Sequence, residues 1–128
     1  MNKEDIIKLL NQYNFDKNKY VVISGAAMVL LGIKPTTNDI DISVTPSYYE
    51  YLLNKYNCIL EKEKDNEVKV YFIDNVINFS TDYFDNNLLF IEDIPVQSID
   101  NLLLLKQSLN REKDKKDIEL INIYKEGK

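Results

Sequence analysis

Between residues 20 and 44 the apolar side chains change their spacing twice, and this limits what the chain can build. "YVVIS" (20–24) is a short, continuous apolar run and reads as a strand buried on both faces. Gly25 breaks it. "AAMVLLG" (26–32) follows as a short helix stopped by Gly32. Pro35 and the next three residues form a turn. Residues 39–44, "DIDISV", then alternate strictly, which is the period of a strand. The expected fold class is α+β.

The flanking segments fit that frame. Asn2 is placed to cap a first helix whose apolar face is Ile6, Ile7, Leu9, Leu10 and Tyr13. Thr45 before Pro46 marks a helix start at 46, and Ser98 marks another at 99. "CILEKEK" and "EVKVYFI" read as a hairpin turning at Asp65-Asn66. Asp74-Asn75 is a second tight turn, leading to the strand "VINFST". Residues 82–98 read as irregular, with short extended pieces. A last helix is expected over about 113–125, forming a C-terminal helical hairpin with the one before it. The tyrosines Tyr48, Tyr49 and Tyr51 read as packing on a short amphipathic helix.

Composition narrows the chemistry. With 128 residues, 45% of them apolar, 3 glycines and 3 prolines, the expectation is one globular domain over 1–128. The single cysteine, Cys58, excludes an intrachain disulfide. The absence of histidine excludes Cys/His zinc sites and histidine-based triads. A net charge of −5 argues against gripping nucleic acid with the whole surface, though Lys113, Lys115 and Lys116 leave a local basic patch. No apolar run reaches membrane-spanning length and the first residues are charged, so the expectation is no signal peptide, no membrane contact and a cytoplasmic setting.

Two acids open the alternating strand. In extended backbone residues i and i+2 share a face, so Asp39 and Asp41 stand side by side while Ile40, Ile42 and Val44 face the core. The same spacing occurs at Glu61/Glu63 and Glu112/Asp114, but there in highly charged stretches. Paired carboxylates repel and raise each other's pKa, and a divalent cation removes that cost. Two carboxylates with room for water and phosphate oxygens suit Mg²⁺. Ser24-Gly25, a bend between strand and helix, is where backbone can approach a ligand closely. A solvated strand edge and an ordinary turn account for the same residues taken singly.

Taken in order, strand, Ser-Gly, short helix, turn and Asp-x-Asp strand, "VVISGAAMVLLGIKPTTNDIDISV" resembles the core of the DNA polymerase β-like nucleotidyltransferase superfamily. It is most similar to the branch that includes AbiEii-type toxins, with Lys34 where an arginine is usual. A second stretch, "PVQSIDNLLLLKQSLNREKDKKDIELI", is similar to that branch's tail motif at Lys106, Arg111, Lys113, Asp114, Asp117 and Ile118. The resemblance implies a minimal nucleotidyltransferase fold, a mixed β-sheet flanked by helices. It implies Mg²⁺ on Asp39 and Asp41, and an NTP cradled by Ser24 and Gly25 and reached by Lys34, Lys106 and Lys113. A nucleoside monophosphate would pass to an acceptor hydroxyl on RNA, protein or a small molecule. The family's third carboxylate falls at Asn78, which can ligate through its oxygen but cannot accept a proton. Asp74 lies in a turn and Asp82 past the strand. That departure opens an alternative: a catalytically impaired nucleotide- or protein-binding relative with a protein partner, as in a toxin–antitoxin pair. Within the tail, Lys106 lies mid-stripe among leucines and needs a partner if buried, with Asp114 the natural candidate. Lys115, Lys116 and Asp117 read equally well as a salt-bridged surface.

Overall fold

A computed structural model of the chain describes residues 1–63, 69–81 and 87–127, the side chains of 62 and 63 excepted. Its helices are α1 (Lys3–Tyr13), α2 (Ser24–Leu30), α3 (Pro46–Lys55), α4 (Ile99–Leu109) and α5 (Glu112–Glu126). Its strands are β1 (Tyr20–Ile23), β2 (Ile40–Val44), β3 (Cys58–Glu63), β4 (Lys69–Ile73), β5 (Ile77–Ser80), β6 (Leu89–Ile91) and β7 (Ile94–Val96). The seven strands form one mixed sheet in the order β3-β4-β5-β2-β1-β7-β6. The chain is an α+β fold with helices around that sheet and a C-terminal helical pair, as its sequence implies.

Local chemistry sets the helix ends. Asn2 caps α1 by accepting from the Asp5 N–H, and the Asp5 carboxylate returns the bond to the Asn2 N–H. Thr45 caps α3 ahead of Pro46, and Ser98 caps α4. Asn14 and Asn110 close α1 and α4 in the left-handed conformation, which asparagine tolerates better than most residues. Gly32 stops the turn after α2 at φ +82, where a Cβ would strain the backbone.

The alternation of β2 decides which face is buried. Ile40, Ile42 and Val44 join Val22, Ile77, Phe79 and Val96 under α1, α2 and α3, all nearly inaccessible. Each such side chain contributes about 1.5–3 kcal/mol on leaving water. Tyr48 and Tyr49 pack here as expected, Tyr48 edge-on to Phe15 and Tyr49 to Phe79; Tyr51 stacks on Tyr48 but is half exposed. A second cluster, Met28, Leu102 and Ile121, fastens the α4–α5 pair onto α2.

Some boundaries differ from the sequence reading. β2 starts at Ile40, so Asp39 lies just ahead of it. Ser24 leaves β1 and opens α2, and α5 starts at Glu112. Residues 89–91 and 94–96, read as loosely extended, form the β6–β7 hairpin, and β7 joins β1 in parallel. Pairing across more than seventy positions leaves no periodic mark on three-residue strands. The expected turn at Asp65-Asn66 lies outside the described residues, as does Asp82. Among the described residues no helix is long and apolar enough to cross a membrane.

Candidate active site

The topology gathers the sequence's polar candidates along one rim of the sheet. β2 runs antiparallel to β1 and parallel to β5, and β1 runs parallel to β7. The starts of β2 and β5 therefore meet the ends of β1 and β7. Register pairs Asp41 with Ile23 on one side and with Asn78 on the other. Asp41 and Asn78 thus share the face opposite the helix-covered core.

Asp39 and Asp41 converge. The Asn78 Nδ2 donates to Asp41 Oδ1 at 2.7 Å and to Asp39 Oδ2 at 3.2 Å. One amide nitrogen stands where two carboxylates point. Burial pushes the Asp41 carboxyl above its ordinary value, and the Asp39 charge adds to the effect, while the Asn78 hydrogen bond and Lys106 oppose it. Desolvation thus outranks the like-charge repulsion that the sequence suggested. Asn78 is itself buried, and its Oδ1 has no partner among the described residues.

The Ser24-Gly25 bend lies one residue past Ile23, beside Asp41. The left-handed residue is Ser24, at φ +59, not the glycine. Gly25 packs closely: a Cβ there would lie 3.1 Å from Thr37 Oγ1, so the hydroxyl would have to give by a few tenths of an ångström. That hydroxyl donates to the Asp39 carbonyl at 3.3 Å, so the bend and the Asp39 loop are in contact. Two side chains hold Ser24. Its N–H donates to Gln97 Oε1 at 3.0 Å, and Lys106 Nζ donates to its Oγ at 3.1 Å.

Lys106 is 4% exposed and is surrounded by acid. Asp117 Oδ2 lies 3.1 Å away and Asp114 Oδ1 3.5 Å away. Asp114 is the partner expected from sequence; Asp117, read there as a surface group, is the nearer one and is buried. Its other oxygen takes Lys34 at 3.2 Å. Arg111 grips Asp114 through Nε at 2.6 Å and a second nitrogen at 3.1 Å, which holds the Asp114 carboxyl down at about 2. Lys34 and Lys106 are therefore paired within the fold, one step from the Asp39–Asp41 group. Lys113 is exposed on α5 and joins none of these bonds among the described residues. Lys115 pairs with Glu112 in solvent, as a surface bridge. Asp74 is in its turn, bonded to the Tyr13 hydroxyl, away from the pair.

Two carboxylates are hard oxygen ligands, and Mg²⁺ is commonly held by one or two carboxylates with phosphates and water completing the shell. Asn78 presents its Nδ2 to both acids, so its own oxygen is turned away from the point where they converge. Among the described residues no group of three or more acidic or cysteine side chains is gathered for a metal. A closed protein cage is thus not what this pair builds. An open groove of about 700 Å³ along α1, lined by Glu4, Ile7, Lys8, Asn11, Gln12 and Glu92, shares no residue with the site. Compared with known proteins, the chain matches no family model and no curated protein.

One participant, Gln97, escaped the sequence, which leaves the role of Asp117 open between the tail motif and a salt-bridged surface. Gln97 follows an apolar strand and precedes a helix cap, and nothing local marks it. Asp117 shares a helix face with Asp114 at i+3, a spacing that offered a signal once Lys106 was known to be buried.

Proposed function

We propose that the chain is a minimal nucleotidyltransferase in which Asp39 and Asp41 hold Mg²⁺ and the phosphates of an NTP. The observation that carries this reading is the convergence of both carboxylates on the Asn78 amide, directly beside the Ser24-Gly25 bend. Bound Mg²⁺ supplies positive charge against the phosphate oxygens, which is where most of the catalysis of phosphoryl transfer lies. Asp39 and Asp41 orient that charge, and Asn78 fixes the angle between them. The Lys106–Asp114–Asp117 cluster sets the bend against which the phosphates would rest. An acceptor hydroxyl on RNA, protein or a small molecule forms the new bond to the α-phosphorus as the bond to the bridging oxygen breaks and pyrophosphate leaves, and the hydroxyl proton passes to solvent water. Asn78 cannot take the hydroxyl proton.

That last point favours a second reading: a nucleotide-binding, non-catalytic relative that works through a protein partner, as in a toxin–antitoxin pair. Calorimetry tests the shared premise. Wild type binds an NTP only with Mg²⁺, and Asp39→Ala abolishes it; binding that survives Asp39→Ala removes the site assignment. Transfer of label from α-³²P NTP to a macromolecule in a cell extract selects the enzyme over the binding module.

A further inference from the structure

The backbone N–H of Ser24 is the donor that a phosphate at this bend would be expected to use, and it is already given to Gln97 Oε1. Gln97 is 0% exposed, and its Nε2 has no partner among the described residues. The orientation of this amide is set by chemistry. Only oxygen can accept from an N–H, so the nitrogen must be the uncommitted end. The two amide heavy atoms share one carbon, which keeps Nε2 within roughly 5 Å of the Ser24 nitrogen. Gln97 follows Val96, which pairs with Val22, and its own N–H donates to the Val22 carbonyl at 2.9 Å. It therefore falls level with Ile23, and the row Asn78, Asp41, Ile23, Gln97 crosses four adjacent strands on one face. That row spans roughly 14 Å, with an unspent acceptor at one end and an unspent donor at the other.

We propose that Gln97 is a ligand-binding residue of this site: Oε1 fixes Ser24 in its left-handed turn, and Nε2–H donates to an anionic oxygen of the bound molecule, a phosphate oxygen at the end of the ligand remote from Asn78. This rests on the Mg²⁺–NTP reading and adds to it the group that contacts the phosphates in place of the Ser24 N–H. Buried amide nitrogens are seldom left unpaired. The donor is neutral, so it contributes direction to the phosphate without adding charge. The charge at the bend is held by Lys106, which Asp114 and Asp117 already balance.

Inorganic tripolyphosphate with Mg²⁺ is the probe, because it carries the part common to all NTPs. Wild type, Gln97→Glu and Gln97→Met are titrated by calorimetry and melted. Glu keeps an acceptor for the Ser24 N–H but puts an anion where the donor was. Burying that anion lowers the melting temperature, so each protein is titrated well below its own melt, where the affinity of Gln97→Glu falls about tenfold or more. Met loses both bonds, so affinity and melting temperature fall together. Should Gln97→Glu fail to fold, ¹⁵N-labelled wild type decides: the Gln97 side-chain amide pair moves on saturation with tripolyphosphate. Unchanged affinity in Gln97→Glu, or an unmoved amide pair in a wild type that binds the probe, overturns this inference alone. A wild type that binds neither tripolyphosphate nor NTP with Mg²⁺ overturns it together with the nucleotide reading.

Discussion

Replacing Lys106 with methionine tests the charge cluster beneath the bend. The two chains are similar in length, so the change removes charge and hydrogen bonds with little change in volume. It leaves two carboxylates, with side chains 0% and 11% exposed, without their shared cation. Removing one member of a buried pair costs about 3–5 kcal/mol. Each acid keeps another partner, Asp114 the Arg111 fork and Asp117 the Lys34 ammonium, which places the loss near the lower bound. Roughly 3 kcal/mol at this chain length lowers the melting temperature by roughly 10 °C. Circular dichroism melts at neutral pH give the shift. The double variant Lys106→Met/Asp117→Leu recovers part of it, since apolar groups of similar size can replace a buried pair. A Lys106→Met protein melting within about 2 °C of wild type would refute the premise that this lysine neutralises both acids.

Three further outcomes follow from the same geometry. Arg111 holds Asp114 at about 2, below the ordinary 3.8, so its ionised form favours the fold; that stability is complete above 3.8 and lost as pH falls through about 2. Melts across that window fall more steeply for wild type than for Asp114→Asn, and equal slopes would deny the Arg111 pairing its role. Asn78→Asp trades a donor shared by two carboxylates for a third carboxylate. The metal-free protein loses about 1–3 kcal/mol, and Mg²⁺ raises its melting temperature by more than it does for wild type; equal Mg²⁺ effects would place residue 78 outside the site. Gly25→Ala places a methyl group 3.1 Å from Thr37 Oγ1, close enough that the hydroxyl must give by a few tenths of an ångström, and in a Thr37→Ala background the same change is more favourable by about 1 kcal/mol. A fully additive pair would show that Thr37 is not the obstacle.

What could be read from sequence was what neighbouring residues decide. The caps at Asn2, Thr45 and Ser98 are contacts over three positions, and each is present. The nearness of Asp39 and Asp41 is expected from strand spacing, although Asp39 falls just ahead of β2 and meets Asp41 at the Asn78 amide. The burial of Lys106 and its Asp114 partner followed from a cation set in a leucine stripe. The rest depends on partners brought from far along the chain. The parallel β1–β7 pairing, the grip of Gln97 on Ser24 and the sharing of Asp117 by two lysines have no local signature. The left-handed turn at Ser24 has no local mark either, since glycine is the usual occupant of such backbone. Here two long-range side-chain bonds hold a serine in it instead.

Those bonds reach across 73 and 82 positions, and the amide between the carboxylates reaches back 37 and 39. A fragment that lacks Ser24, Asn78, Gln97 or Lys106 therefore cannot assemble this group of side chains. Contacts of this separation are slow to form, since loop closure must precede any gain from them. On the proposed reading, ligand affinity appears late and all at once during refolding, which would make it a reporter of the finished sheet rather than of any part of it.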